Sequence, residues 1–346
     1  MLVNLNNTIV NDIKSVNSKF FHIGVLGCQN FQGSGIKITA PAESPNTDGI
    51  HLERNSGVTI TNSEIATGDD CVSVGQGNSH VTLNGIRCGP GHGIRRYLSC
   101  LQSLMLVNLN NTIVNDIKSV NSKFFHIGVL GCQNFQGSGI KITAPAESPN
   151  TDGIHLERNS GVTITNSEIA TGDDCVSVGQ GNSHVTLNGI RCGPGHGISL
   201  GRYKNEMDVQ GLIVQDCSLT DTDNGLRIKT WANSPTSSVC ANMTFENIVM
   251  NNVANPIIID QTYCPYANCG TSASSKVKIS DIHFRNITGT SKTPVAVNLE
   301  CSQGIPCEKV SLQDVDLKFT GQNSTFATCL NVKAQYSGTQ NPPPCQ

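Results

Sequence analysis

Short runs of alternating apolar and polar residues return about every 22 residues along this chain, and this period limits the fold more than any other feature. One series reads Gly153–Glu157, Cys175–Gly179 and Gly197–Gly201, then continues at wider spacing with Gly225–Lys229, Pro256–Asp260 and Pro294–Asn298. A second series runs out of phase with it: Val162–Thr165, Val185–Asn188, Leu212–Gln215, Met243–Glu246, Val277–Ser280 and Val310–Gln313. Alternation at period two marks half-buried strands. Gly, Asn, Asp and Ser separate the runs, and these residues form turns. Two or three strands within 22 residues leave no room for helices. The pattern describes one coil of a parallel β-helix, an all-β solenoid, with coils stacked at strand spacing. A β-sandwich is the rival, but its strands would not favour a fixed phase. Asn and Thr at equivalent turns can then form side-chain ladders up the stack.

A longer repeat lies over the short one. Residues 1–94 recur unchanged as residues 105–198, at a constant offset of 104. The 346 residues therefore do not count domains; without one copy and the linker 95–104, about 242 distinct residues remain. We divide the chain into a duplicated partial β-helix segment (1–94), a linker (95–104) and a β-helix region (105–346). Identity this complete marks a very recent duplication or an error of gene assembly. The first copy is expected to stack beneath the second as extra coils, because solenoid ends need covering. Leu98, Leu101 and Leu104 of the linker, at helical spacing, are candidates to pack there.

Charge and cysteine content narrow the setting. Only 14% of residues are charged and the net charge is −3, so no basic surplus exists to neutralise a nucleic-acid backbone. No apolar stretch approaches the 18 or more residues of a membrane helix, so no membrane partner is expected. None of the 15 cysteines forms a C-x-x-C pair with zinc-ligand spacing. Cys264/Cys269, Cys301/Cys307 and Cys329/Cys345 read as short-loop disulfides of an oxidising compartment, with buried free thiols as the alternative. The odd count leaves at least one thiol over, and Cys100 is the natural candidate. Sequons at Asn6, Asn110, Asn242, Asn286 and Asn323 agree with secretion. The first residues lack a charged and apolar leader, so the expectation is that a leader has been lost.

The 22-residue period also places chemistry. Asp152, Asp174 and His196 are spaced 22 and 22, so they stack as a row on one face, with Asp173 beside Asp174. Arg227 and Lys229 lie on the next rung and flank Ile228, so both leave the strand on the same face. Three acids in one cleft suit glycoside hydrolysis, which needs one protonated carboxyl and one ionised carboxylate. Crowded like charges raise at least one pKa and supply the acid. The cations suit a carboxylate on the substrate, hence an acidic sugar. Taken singly, each element has a plainer reading: a turn-shaping Asp, a packed His, a solvated strand face. A calcium site built from the acids is the competing reading, and the Arg–Lys pair argues against it.

N-T-D-G (150–153), G-D-D-C (172–175), G-H-G (195–197) and R-I-K (227–229), in this order, resemble the four motifs of the polygalacturonases. These are pectin hydrolases with a right-handed, single-stranded parallel β-helix. The resemblance covers residues 105–346 and is closest to the plant group, including pollen exopolygalacturonases. It implies Asp173 as general acid, Asp152 and Asp174 as bases holding the attacking water, inversion at the anomeric carbon, and His196 supporting the acid. It implies Arg227 and Lys229 on the galacturonate carboxylate and Tyr263 on the sugar. It implies disulfides Cys175–Cys192, Cys301–Cys307 and Cys329–Cys345, no metal and no organic cofactor. It also implies pectin or polygalacturonate as substrate and a secreted cell-wall location, with exo action favoured over endo; a monomer is expected.

The sequence departs from that pattern in two ways. The family's N-terminal coils are replaced by a second copy of the motif region. That first copy carries Asp48, Asp69, Asp70 and His92, but no R-I-K follows before the second copy begins. We therefore expect the first copy to be inactive. An inactive wall-binding β-helix is the alternative to an enzyme. A lyase on the same fold would need calcium and yield unsaturated products.

Overall fold

A computed structural model describes residues 1–89, 104–122, 124–201, 203–264, 274–322 and 324–345. The chain divides into two units, Met1–Asp173 and Asp174–Gln346. Each is a parallel β-solenoid, and no helix occurs among the described residues. None of the described segments is a helix long and apolar enough to cross a membrane.

Among the described residues of the first unit, 21 strands in groups of three make seven coils. Every strand pairs in parallel with the strand one coil away. The register follows from inward apolar residues standing over one another. Val25, Leu52, Val74, Leu106, Val129 and Leu156 form one continuous column, and none is more than 1% exposed. Each such side chain contributes about 1.5–3 kcal/mol on burial, so a slip of one residue would turn the column to solvent.

Polar columns support the turns. Asn55 donates to Asn78 at 2.8 Å and accepts from the Cys28 amide at 2.8 Å, all buried. Asn7–Asn30 and Asn111–Asn134 form exposed rungs at 3.0 and 3.2 Å. The expected ladders are thus present. At the exposed rungs Asn recurs because φ is positive there, as at Asn30 (53°) and Asn134 (55°), and Asn tolerates it better than most residues.

The first copy stacks onto the second coil upon coil, as expected. Val72–Val74 pairs with Leu104–Val107, Ser79–Asn84 with Asn110–Asn115, and Arg87–Cys88 with Lys118–Val120. The duplication makes the effect of stacking measurable on identical residues. Leu109 and Ile117, which have a coil beneath them, are 0% and 1% exposed; their twins Leu5 and Ile13, on the first coil, are 38% and 36% exposed. Leu104 packs within a strand, buried; Leu98 and Leu101 lie outside the described residues.

The second unit continues the pattern with longer coils. Val176 pairs with Ile198, Ile198 with Leu226 and Leu226 with Ile257, as the first series predicts. Two later alignments differ. Ile257 pairs with Val297, two residues further along than the alignment of Pro256 with Pro294 implies. An even shift preserves the inward face, so periodicity alone could not detect it. Met243 pairs with Ile282 rather than Val277, because Ser238–Val253 and Val277–Ser291 are long strands that pair along most of their length. Phe245 and Phe284 stack in the core with centroids 5.0 Å apart.

Cys175–Cys192, Cys301–Cys307 and Cys329–Cys345 are bonded. The twin pair Cys71–Cys88 is bonded as well. Cys264 is in a disulfide, while Cys269 and Cys100 lie outside the described residues. Free thiols at Cys28, Cys132, Cys217 and Cys240 are buried, so single leftover thiols are not confined to the linker. Desolvation pushes Cys217 up to about 11 and Cys240 up to about 12, which keeps both protonated and inert.

Candidate active site

The acid motifs appear twice in the chain, and the first copy, which lies wholly in the first unit, shows all three acids together. Ile50–Glu53 pairs with Val72–Val74, so the Gly49 amide donates to the Asp70 carbonyl at 2.8 Å. This puts Asp48 on the rung next to Asp70, as the spacing of 22 requires. Carboxylate oxygens of Asp48, Asp69 and Asp70 lie within 4.8 Å of one another. Burial, and then the charge of Asp48, raises the Asp69 pKa above its ordinary value, against backbone hydrogen bonds from Asp70 and Asn46. His92 lies outside the described residues.

The second copy repeats the local construction around Asp152 and Asp173. The Thr171 hydroxyl donates to the Asp173 carbonyl at 3.0 Å, and the Gly172 amide donates to the Thr151 hydroxyl at 3.1 Å. Gly172 must lack a side chain, since a Cβ there would collide with the Ser148 carbonyl. Asp152 is 2% exposed, and its Oδ2 lies 3.7 Å from Nδ1 of His155. His155 Nε2 is 3.5 Å from Glu157, and its ring stacks on Phe125 at 4.1 Å. His155 and Glu157 were not expected here. Their alternation with buried Ile154 and Leu156 was visible in the sequence and puts the two on one face; that Asp152, before the strand, reaches His155 is seen only in the fold.

In the second unit, Asp174 is 5% exposed and both its carboxylate oxygens are engaged. The Ser199 hydroxyl donates to Oδ1 at 2.7 Å, and the Lys229 ammonium lies 3.5 Å from Oδ2. Ser199, itself 1% exposed, pairs in register with Ser177 on one side and Arg227 on the other. Arg227 and Lys229 leave the strand Asn224–Trp231 on one face, and Leu226 and Ile228 are each 1% exposed toward the core. Periodicity gave this face correctly.

Tyr263 stands beside both cations. The Arg227 guanidinium carbon lies 5.2 Å and the Lys229 nitrogen 5.5 Å from its ring centroid. Trp231 meets the same ring edge-on at 6.5 Å. Arg227 Nε is buried with no hydrogen-bond partner among the described residues. His196 Nε2 lies 3.5 Å from Asp223 Oδ2, and Asn224 donates to the His196 carbonyl at 3.3 Å. A Cβ at Gly197 would collide with the carbonyl oxygens of Asn224 and Gly225, which explains the second glycine of G-H-G. Ser199 and Asp223 carry no motif signal.

Residues 1–95 and 100–338 match the family model described as "Glycosyl hydrolases family 28". An exopolygalacturonase of Platanus acerifolia is 49% identical over 238 residues, 68% of this chain and 63% of that protein. An exopolygalacturonase of Oenothera organensis is 45% identical over 275 residues, 78% of this chain and 75% of that protein. The chain spans about three-fifths of the length of the first curated relatives it matches. Among solved structures it is similar to a polygalacturonase of Erwinia carotovora, at TM-score 0.64, 19% identity and coverage of 91% and 86% of the two chains. It is also similar to an endo-xylogalacturonan hydrolase of Aspergillus tubingensis, at TM-score 0.65, 18% identity and coverage of 94% and 92%. These two likenesses concern the fold.

Proposed function

The chain belongs to glycosyl hydrolase family 28, and we propose that it hydrolyses α-1,4-galacturonosidic bonds of polygalacturonate with inversion. One observation carries this reading: an engaged carboxylate, Asp174, lies next to a cation row, Arg227 and Lys229, with Tyr263 beside both. Such a row suits a carboxylate on an acidic sugar. Asp173 acts as general acid and gives its proton to the glycosidic oxygen as the bond to the anomeric carbon breaks. Asp152 and Asp174 take the proton of a water whose oxygen bonds to that carbon from the opposite face. His196 supports the acid, and Arg227, Lys229 and Tyr263 hold the galacturonate.

The raised pKa of Asp69 supports the choice of acid. It is the first Asp of the same G-D-D-C sequence, and burial with a neighbouring carboxylate raises its pKa, the direction a general acid needs. We assign the working site to residues 105–346 and treat residues 1–94 as an inactive duplicate. The names of the relatives favour exo action on pectin. The disulfides fit a secreted cell-wall protein, which we take to act as a monomer without cofactor.

The test is release of reducing ends from polygalacturonate by purified protein, with Asp173→Asn as control. NMR of the first product should show the β-anomer, and monogalacturonate should precede longer oligomers. No release, or release unaffected by Asp173→Asn, would overturn the assignment.

A further inference from the structure

We propose that Ser199 is a positioning residue that, with Lys229, clamps Asp174 in its ionised, correctly oriented form. This rests on the hydrolytic reading above, and it reassigns Lys229 in part from substrate to protein. A carboxylate is an acceptor only, so the 2.7 Å contact has the Ser199 hydroxyl as donor to Oδ1. The Lys229 ammonium at Oδ2 occupies the other oxygen. One donor on each oxygen fixes the carboxylate plane and favours the charged form. The contact is rigid, because Ser199 is 1% exposed in a paired strand and Asp174 is 5% exposed. Groups of the same unit that face Asp174 include Ser199, Lys229 and His196, whose ring nitrogen lies within 4.8 Å of its carboxylate.

The duplication supplies an internal comparison. The copies are identical up to Ile94 and Ile198 and part at the next residue, Arg95 in one and Ser199 in the other. The rung that follows Ser177 offers Ser199, whereas the rung that follows Ser73 offers Met105. The first copy thus has the acids and ends one residue short of the hydroxyl donor. Lys229 serves as the clamp's second jaw, which leaves Arg227 as the cation available to a substrate carboxylate.

The test compares Ser199→Ala, which removes the donor, with Ser199→Thr, which keeps it. Ser199→Ala should lower kcat by about 10- to 100-fold with KM little changed, and Ser199→Thr should recover most of the loss. Equal kcat in wild type and Ser199→Ala overturns the proposal. So does a Thr variant as slow as the Ala variant. Titration of the Asp174 carboxyl by 13C NMR, assigned with Asp174→Asn, reads the clamp without turnover. Its midpoint should rise by about one unit in Ser199→Ala and return in Ser199→Thr; an unchanged midpoint overturns the proposal. If wild-type protein releases no galacturonate, the hydrolytic reading fails while the titration still decides the clamp. Should Ser199→Ala not fold, Ser199→Cys, a much weaker donor, gives the same comparison.

Discussion

Met105 stands in register with Ser73, at the place where Ser199 stands in register with Ser177 in the other copy of the same strand. Both copies carry identical acids, so what distinguishes them chemically is the rung that follows. In the first copy an apolar side chain occupies the position that carries a hydroxyl donor in the second.

Activity should therefore depend on only one set of acids. Asp173→Asn is expected to reduce kcat by roughly 100-fold or more, the usual contribution of a general acid. Asp69→Asn should leave it within about twofold of wild type. Parallel reducing-end assays compare the two, and a large loss in Asp69→Asn would show that the first copy contributes.

Arg227 should discriminate by charge on the substrate. Arg227→Ala is expected to raise KM for polygalacturonate by roughly 10- to 100-fold, the value of a charge-assisted hydrogen bond. Arg227→Lys should recover only part, because an ammonium lacks the planar fork. Initial rates across substrate concentration would settle it, and an unchanged KM in Arg227→Ala would count against carboxylate recognition.

Acid should destabilise the first unit through His126. This ring is 0% exposed, and burial lowers its pKa from 6.5 to about 4. As pH falls, the unfolded chain takes up the proton first, so the stabilisation present above about pH 6.5 declines towards pH 4. The loss approaches about 3 kcal/mol. Urea unfolding at several pH values, repeated with His126→Gln, should show a shallower decline in the variant.

Removing residues 1–103 should weaken the remainder. It would uncover Leu109 and Ile117, whose uncovered twins Leu5 and Ile13 are 38% and 36% exposed. Lost burial there costs on the order of 2 kcal/mol, before any strand pairing is counted. An unchanged Tm after truncation would mean that the first copy does not support the second.

The two 17-residue disulfides offer a matched pair. Cys88→Ser and Cys192→Ser should each cost about 3 kcal/mol by loop-closure entropy. Only Cys192→Ser should also slow turnover, because its partner Cys175 follows Asp174 directly. Thermal melts beside activity assays would separate the two effects.

Much of the site was legible because a solenoid converts spacing into height. Asp48 and Asp70, 22 residues apart, do share a carboxylate cluster, and Arg227 and Lys229 do share a face around buried Ile228. His155 and Glu157 were legible in the same way, but an alternating strand gives no reason to prefer them over any other outward pair. Lys229 is different. Its charge suggested a substrate contact, and the structure also sets it 3.5 Å from Asp174, which spacing gave no reason to expect.

Coil period, parallel pairing and the inward face follow from local alternation, since residues two apart share a side and an apolar column must stay dry. Which side chains meet across coils does not follow from the period alone. Turn length sets the register, and turns here add two residues or many without altering the pattern on either side. That is why Ser199 reaches Asp174, why Met105 stands over Ser73 and why Ile257 pairs with Val297. Each depends on how far one coil advances before the chain returns to the sheet, and only the folded stack decides that distance.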